Sequence, residues 1–390
     1  MDNKLRLQRW IPPGLLAGLV LLTSNAVWAD FERSFTFDSS ELRLANLIGQ
    51  VEVKAASGDE FRITVRVLGE DATEERVQFE EGGGRRAELA ILFPIDESNR
   101  YVYPQMGSNS RTKFSSRHHD SSLGQLLGLG RDQIEVRGRS WKDALELWAD
   151  VVVEVPEGKK LSVYLGVGSM SAVDVKADLE MDSQTGRIDA ENITGQLTLD
   201  TGSGSVAVRG VQGDVSVDTG SGRVEVADVE NAAFVNIDTG SGGVVVERIQ
   251  ADRLSVDTGS GGVDVDVANV EDLNIDTGSG TVEAYQVASD NVSIDTGSGG
   301  VRLELVRMGR GRYDVDTGSG SIRMHLPRQV SASFQADTGS GDISVDIEGV
   351  ELSRRERRDG EARFTIGDGD SRVRLSTGSG TIRIVQKQRG

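Results

Sequence analysis

Over the second half of the chain, apolar and polar residues alternate, and short glycine-rich segments interrupt the alternation at regular intervals. The segment from Leu254 to Asp272 shows the unit: Leu-Ser-Val-Asp precedes Thr-Gly-Ser-Gly, and Gly-Val-Asp-Val-Asp-Val follows it. A period of two residues is typical of half-buried β-strands. Each unit therefore predicts two short strands, joined by this tight turn and followed by a second turn.

The turn segment Asp-Thr-Gly-Ser-Gly recurs at intervals of 18 to 21 residues. A short segment that returns at a nearly fixed period indicates stacked repeats, each of which buries its apolar face against its neighbours. The eight copies begin at Asp200, Asp218, Asp238, Asp257, Asp276, Asp295, Asp316 and Asp337. Two weaker copies extend the array, one beginning at Asp182 and one beginning at Ser376.

Two all-β arrangements fit this pattern, an antiparallel meander and a parallel β-solenoid in which each unit is one coil. Identical residues recur at equivalent positions, and stacking Val on Val or Gly on Gly at about 4.8 Å is natural for parallel strands in register. We therefore predict a parallel, β-helix-like solenoid of two-strand coils, about 19 residues each, in residues 140–390. Arginine-rich residues near 350–361 predict a charged excursion from it.

Two further regions are predicted before the repeats. Residues 30–95 contain alternating stretches such as Phe61 to Val67 and predict a strand-rich N-terminal β cap, because a solenoid exposes unpaired strands at its ends. Residues 96–139 are rich in Ser, Gly, Asn and Arg without a sustained period, and they predict a flexible insertion loop.

Residues 1–29 predict a secretory signal peptide. Lys4, Arg6 and Arg9 precede an apolar stretch that ends at Leu22, and Ala29 fits a cleavage site before Asp30. We expect a periplasmic or secreted protein with no stable membrane insertion after cleavage; an uncleaved anchor is the alternative. The sequence contains no cysteine, which excludes a disulfide framework.

The charge of the chain limits its partners. The sequence has 43 basic and 62 acidic residues, a net charge of -19, and loss of the three basic and one acidic residues of the signal peptide makes it -21. Such a surface disfavours nucleic acid and anionic lipid as partners. Aromatic residues make up only 5% of the chain, which fits a core of small branched side chains in thin layers.

The repeated aspartates have two structural interpretations. Stacked carboxylates about 4.8 Å apart repel one another by roughly 1 kcal/mol in water, and either turn amides or a row of calcium ions can offset this repulsion. We favour the amides, with each Asp accepting hydrogen bonds in its own turn and the glycines adopting positive φ. Calcium-binding solenoids have two glycine-rich turns, whereas only one is glycine-rich here. We therefore predict no cofactor, with calcium as the alternative.

Asp-Thr-Gly is also the catalytic signature of aspartic peptidases. In those enzymes two such loops, from two lobes or two subunits, share one proton between their carboxylates. Copies spaced 18 to 21 residues apart leave no length for lobes or a substrate flap. We therefore reject the peptidase function as a short motif taken out of context.

The insertion holds the other candidates for binding. His118, His119 and Asp120 lie there, but adjacent histidines in a strand point in opposite directions, so a metal site would need distant ligands. No catalytic motif is present, and we predict no catalytic residue. Basic and aromatic residues of the insertion predict contact with an acidic glycan or an envelope protein: Tyr101, Tyr103, Arg111, Lys113 and Arg117.

Several segments together resemble a known family. They are Leu42 to Val53, the repeated Thr-Gly-Ser-Gly before an apolar strand, and the closing segment from Ile366 to Ile384. Over nearly the whole mature chain, the sequence resembles the bacterial putative adhesin family, a β-strand-repeat domain of unknown function. The shared motifs are structural, so the resemblance implies a fold and a compartment more than an activity. We predict a secreted, non-enzymatic adhesin-like binding protein or envelope scaffold; the alternative is a carbohydrate-active β-helix enzyme.

Overall fold

In the part of the chain that the structure describes, the regular secondary structure is almost entirely β-strand. The computed structural model describes residues 31–115, 127, 133–348, 350, 357–358 and 360–386. Within them the only helical element is the 3-10 helix Pro104–Met106, and no helix has the length and hydrophobicity needed to cross a membrane. The all-β prediction is therefore confirmed. The predicted signal peptide, residues 1–29, lies outside the described residues.

The strands before the repeats are β1 (Phe31–Phe37), β2 (Glu41–Ala55), β3 (Phe61–Leu68), β4 (Gln78–Gly82), β5 (Arg86–Leu92), β6 (Arg100–Val102), β7 (Arg111–Ser115), β8 (Gln133–Arg137), β9 (Leu145–Glu146) and β10 (Trp148–Val155). The strands of the repeats are β11 (Lys160–Val175), β12 (Asp178–Thr185), β13 (Ile188–Thr194), β14 (Leu197–Thr201), β15 (Val206–Gln212), β16 (Val215–Thr219), β17 (Val224–Thr239), β18 (Val244–Thr258), β19 (Val263–Thr277), β20 (Val282–Ser289), β21 (Asn291–Thr296), β22 (Val301–Met308), β23 (Arg312–Thr317) and β24 (Ile322–Leu326). The last strands are β25 (Ala332–Thr338), β26 (Ile343–Asp346), β27 (Arg357–Arg358), β28 (Glu361–Ile366), β29 (Ser371–Thr377) and β30 (Ile382–Gln386).

Strands of consecutive repeats pair in parallel and in register. Leu179 pairs with Leu197, and Leu197 pairs with Val215. Further along, Val256 pairs with Ile275 in the same way. Equivalent residues thus form columns across the sheet, and the inward columns are apolar and buried. This arrangement makes the fold β-solenoid-like, with a core of Val, Ile and Leu that continues from repeat to repeat.

The second corner of the central repeats is a single residue with positive φ inside a continuous strand. Arg248 (φ 56°) occupies this place in β18, and Val267 (φ 60°) occupies it in β19. In the pairing between β18 and β19, neither residue has a partner on the other strand. Because non-glycine residues rarely adopt positive φ, and β-branched ones least of all, the residue types did not indicate this corner. The expected second turn is absent from these two strands.

Close approach between repeats, rather than positive φ, requires glycine in the first turn. A Cβ atom on Gly261 would lie 1.7 Å from the carbonyl oxygen of Gly242, and one on Gly280 would lie 1.7 Å from that of Gly261. None of these glycines has a positive φ. The prediction of positive φ is therefore wrong at these turns, since the glycines instead let one turn lie directly on the next.

At the N-terminal end, β2 is a layer of the stack. It pairs in parallel with β11 on one side, where Gly49 pairs with Gly168. On its other side it pairs in parallel with β5 and with β10. Beyond them, β3 and β1 continue from β10 as antiparallel strands, and β4 is antiparallel to β5. Part of the predicted cap, β2, thus belongs to the repeat stack itself.

At the C-terminal end, the spatial order of the strands differs from their chain order. Val373 of β29 pairs with Tyr313 of β23 on one side and with Phe334 of β25 on the other. β30 lies between β24 and β26 in the same way. The last repeat is therefore inserted between two repeats that precede it, and β28 covers β25 as an antiparallel strand. Within the predicted excursion, β27 pairs with β28, and most of the rest lies outside the described residues.

The insertion is not a loop throughout. Its strands β6, β7 and β8, together with β9, form a separate four-stranded sheet. β7 is antiparallel to β8, whereas β6 is parallel to both β8 and β9. The prediction of a flexible loop over residues 96–139 is therefore wrong for its described part.

We expect replacement of Gly261 by alanine to lower the free energy of unfolding by about 3 kcal/mol, because the new Cβ would overlap the backbone of the preceding turn. Gly262→Ala is the matched control, since its Cβ would meet only the carbonyl oxygen of Thr281 at 3.5 Å. Chemical denaturation of both variants measures the difference. Equal midpoints for the two variants would contradict the close-approach account.

Candidate functional site

The repeated aspartates lie in one column on the outer face of the sheet. Each is the residue before the last of its strand, and Asp238, Asp257 and Asp276 pair in register from one strand to the next. Their neighbouring residues Thr239, Thr258 and Thr277 point inward and are buried. Alternation along the strand therefore directs every carboxylate of the column outward and every threonine hydroxyl into the turn.

The spatial order of the column differs from the order in the sequence. Asp182 pairs with Asp200 and begins the row, which runs without interruption to Asp316. Asp316 pairs next with Ser376 of the inserted last repeat, and Ser376 pairs with Asp337. The contiguous carboxylate row consequently includes the weaker copy at Asp182, and a serine separates Asp337 from it.

Threonine hydroxyls hold the turn together. The Oγ1 atom of Thr258 accepts a hydrogen bond from the Gly261 amide at 3.0 Å and donates one to the carbonyl oxygen of Gly242, in the preceding repeat, at 3.1 Å. Thr277 and Thr296 make the same two bonds in their turns. The prediction that the aspartate accepts these turn amides is wrong at these repeats, because its side chain lies on the opposite face of the strand.

Stacking raises the proton affinity of several carboxylates in the row. Burial, followed by repulsion from the flanking aspartates, raises the pKa of Asp238, Asp257 and Asp295 above its ordinary value. The effect is largest at Asp182, where burial, Asp200 and Glu180 together raise the pKa to about 7. The row therefore carries a free-energy cost in its ionised form.

The row offers neither a peptidase pair nor a visible metal cage. Adjacent carboxylates lie on parallel strands about 4.8 Å apart along one open face, whereas a peptidase needs two loops that face each other across a cleft. Among the described residues, no group of three or more histidine, aspartate or glutamate side chains is arranged to hold a metal ion. The arrangement presents a repeating line of negative charge to the solvent.

The structure buries both candidate tyrosines of the insertion. Tyr101 is 0% exposed and Tyr103 is 2% exposed, and burial raises the pKa of both hydroxyls. The ring of Tyr101 packs edge-on against Phe93, and the hydroxyl of Tyr103 donates to Gln105 at 3.0 Å. The prediction that Tyr101 contacts a partner is therefore wrong, because Tyr101 belongs to the core. Tyr103 also packs in the core, but together with Arg111 it lines a cleft between the insertion and the first repeats.

Arg111 and Lys113 converge on one carboxylate. Glu135 lies between them and Arg137, with Lys113 Nζ at 3.3 Å and Arg137 Nη2 at 2.8 Å from its oxygens. Burial alone would raise the pKa of Glu135, but hydrogen bonds from the three cations outweigh it and lower the pKa to about 2. The pairing neutralises part of the positive charge expected to attract a partner.

The remaining insertion candidates are not placed by the structure. Arg117, His118, His119 and Asp120 lie outside the described residues.

The insertion sheet is docked against the first repeats. Gln50 donates to Gln105 at 2.7 Å, and the hydroxyls of Thr112 and Thr185 lie 3.2 Å apart. A cleft of about 620 Å³ between the two parts is lined mainly by neutral polar groups and glycine backbone, with Arg111 as the one charged side chain among the described lining residues. The cleft suits hydrogen bonding to an uncharged ligand better than it suits acid–base chemistry.

Sequence reasoning missed a second charged surface, at the C-terminal end. Residues 178–300 contain 23 acidic and 5 basic residues, a net charge of -18, whereas residues 301–390 contain 13 acidic and 16 basic residues, a net charge of +3. Nearly the whole negative charge of the chain thus lies in the central repeats. A charge count by segment, rather than for the whole chain, would have revealed this asymmetry.

The fold and the structural character of its repeated motif define a β-repeat protein. Residues 212–385 match the family model described as Toastrack DUF4097, so this part of the chain is similar to a β-repeat domain of unknown function. A solved structure described as a "putative cell adhesion protein" from Clostridium sporogenes matches 92% of this chain and 100% of its own, with 9% identity and a TM-score of 0.21. A likeness this low carries no argument. No curated protein matches the sequence.

We expect Asp182→Asn to raise the melting temperature at pH 8 and to lose this advantage as the pH falls towards 4. The pKa of Asp182 rises from an ordinary 3.8 to about 7 on folding, so the folded chain binds this proton more tightly than the unfolded chain, and ionisation destabilises the fold above pH 4. Melting curves across this pH range measure the effect.

Asp228→Asn is a control of opposite sign. A hydrogen bond from Arg248 lowers the pKa of Asp228, so the native carboxylate stabilises the fold above its ordinary pKa, and that contribution disappears on acidification. Asp228→Asn should therefore lower the melting temperature at pH 8. The same sign of change in both variants would refute this account of the row.

Proposed function

We propose that this protein is a non-enzymatic parallel β-solenoid of two-strand coils that acts outside the cytoplasm, as an adhesin-like binding module or an envelope scaffold. The in-register stacking of outward side chains supports it most directly. Each outward position recurs on every layer, about 4.8 Å from its equivalent. A surface of this kind is periodic along the stack, and it suits a periodic partner such as a glycan chain or an envelope protein.

The motif chemistry agrees with a structural role. The threonines and glycines of the pentapeptide are used within the turn, and its aspartates form an open row rather than a catalytic pair. The match to a domain of unknown function assigns no reaction. Non-catalytic binding therefore accounts for more of these features than a carbohydrate-active enzyme does.

A glycan array combined with an assay for released reducing sugar tests the proposal. We expect the purified protein to bind one class of glycan and to release no reducing ends from it, because its repeated motif serves the fold. Gly262→Ala, which leaves the stacking contacts intact, should bind like the native protein, whereas Gly261→Ala should lose binding at a lower denaturant concentration than Gly262→Ala does. Release of sugar that depends on the folded protein would establish the enzyme instead.

We also propose that the fold needs no calcium. The threonine hydroxyls already accept the turn amides, and the carboxylates face solvent, where protonation and counterions relieve their repulsion. The melting temperature should therefore be the same in calcium and in a chelator. A calcium-dependent rise that disappears in the double variant Asp257→Asn, Asp276→Asn would place a cation on the row.

A further inference from the structure

Four arginines form a grid on the outer face of the sheet at its C-terminal end. The grid consists of Arg312 on β23, Arg372 and Arg374 on β29, and Arg363 on β28. Arg312 pairs in register with Arg372, and Gln335 of β25 lies between Arg374 and Arg363. All four arginine side chains are exposed.

Two of these cations have no acidic partner among the described residues. Arg312 lies 4.0 Å from Asp314, and Arg363 pairs with Glu361 at 2.5 Å. Within the described part of the chain, neither Arg372 nor Arg374 forms an ion pair. Like charges directly opposite each other on neighbouring strands are destabilising, so the register of Arg312 and Arg372 has a cost that a bound anion would remove.

The grid is recessed rather than flat. Two adjoining depressions of about 750 and 850 Å³ share Arg312, Asp314, Ser333 and Arg372 in their walls. Two carboxylates, Asp314 and Asp370, line the first depression beside the arginines. Neutral polar side chains also lie among the guanidinium groups, with the hydroxyls of Ser333 and Thr365 3.5 Å apart. The arginine groove, as we call these joined depressions, therefore combines anion-binding groups with partners for hydroxyl groups.

We propose that the arginine groove binds a linear acidic polysaccharide. This inference rests on the proposed binding function and specifies its ligand class. Arg372 and Arg374 hold carboxylate or sulfate groups, since a guanidinium matches such planar or multidentate anions with two parallel hydrogen bonds. Ser333, Gln335 and Thr365 hydrogen-bond to sugar hydroxyls. Two successive acidic groups of the polymer reach the two cations, which are about 7 Å apart along one strand.

The same lining disfavours nucleic acid. Single-stranded nucleic acids bind through exposed aromatic rings on which bases stack. The aromatic residues in the lining of the groove are Phe334 and Phe364. Their rings stack on each other at 4.6 Å, and the residues are 3% and 8% exposed. Among the described residues that line the groove, no aromatic ring therefore presents an open face to a base.

Binding of the full-length protein to polygalacturonate, heparin and neutral dextran, measured by calorimetry at moderate ionic strength, tests this inference. We expect binding to at least one of the two polyanions and none to dextran. The double variant Arg372→Gln, Arg374→Gln should weaken binding at least tenfold, because it removes both unpaired cations and leaves the core unchanged.

The double variant Arg323→Gln, Arg383→Gln is the matched control. It removes two exposed arginines that also pair in register on adjacent strands, but on the strands that follow the turn and outside the groove. We expect it to change the affinity less than twofold. Equal losses of affinity in the two variants would contradict a binding site in the groove, because the basic C-terminal end would then attract polyanions without a specific site.

Two other results would also overturn it. One is failure of the native protein to bind either polyanion. The other is self-association at low salt that the Arg372→Gln, Arg374→Gln variant abolishes, which would assign the groove to the aspartate row of a second copy. If neutral glycans on the array bound equally well to the native protein and to the Arg372→Gln, Arg374→Gln variant, the acidic ligand would be contradicted. The proposed binding function would still be supported.

Discussion

The contact between a threonine of one repeat and the glycine turn of the repeat before it determines the geometry of the stack. The buried hydroxyl of Thr258 accepts the Gly261 amide in its own turn and donates to the Gly242 carbonyl below it. A buried hydroxyl or amide left without a partner costs about 1–3 kcal/mol. The same contact requires glycine in the turn, because the two backbones approach each other too closely for a Cβ atom.

In-register stacking then places like on like at every position. For apolar residues this is favourable, since Val256 and Ile275 extend one continuous core. For charged residues it has a cost, visible in the raised pKa of Asp182 and of Asp238 in the row. The outer surface is consequently organised as lines of charge, negative along the centre and positive at the C-terminal end. Any partner would encounter these lines rather than an isolated site.

At both ends of the stack the spatial order of the strands differs from their order in the chain, and this difference leaves fewer strand edges unpaired. β2 lies between β11 and the strands β5 and β10, and β29 lies between β23 and β25. In each case a strand close to the chain terminus in sequence is paired on both edges, and antiparallel strands cover what lies beyond it. This difference in order also determines the surface, because it sets Ser376 into the aspartate row and brings Arg372 beside Arg312.

The period-two pattern and the recurrence of the pentapeptide determined the all-β, stacked-repeat fold from sequence alone, because local alternation and identical repeats leave few ways to bury the apolar face. The roles within the turn needed the structure, since adjacent Asp and Thr residues exchange roles according to the face on which each lies. The corner at Val267 and the burial of Tyr101 could not be predicted from the sequence either, because valine is not typical of a corner and tyrosine is not specific to a buried position. The contiguous aspartate row and the arginine grid depend on pairings between distant segments, which only the tertiary structure decides.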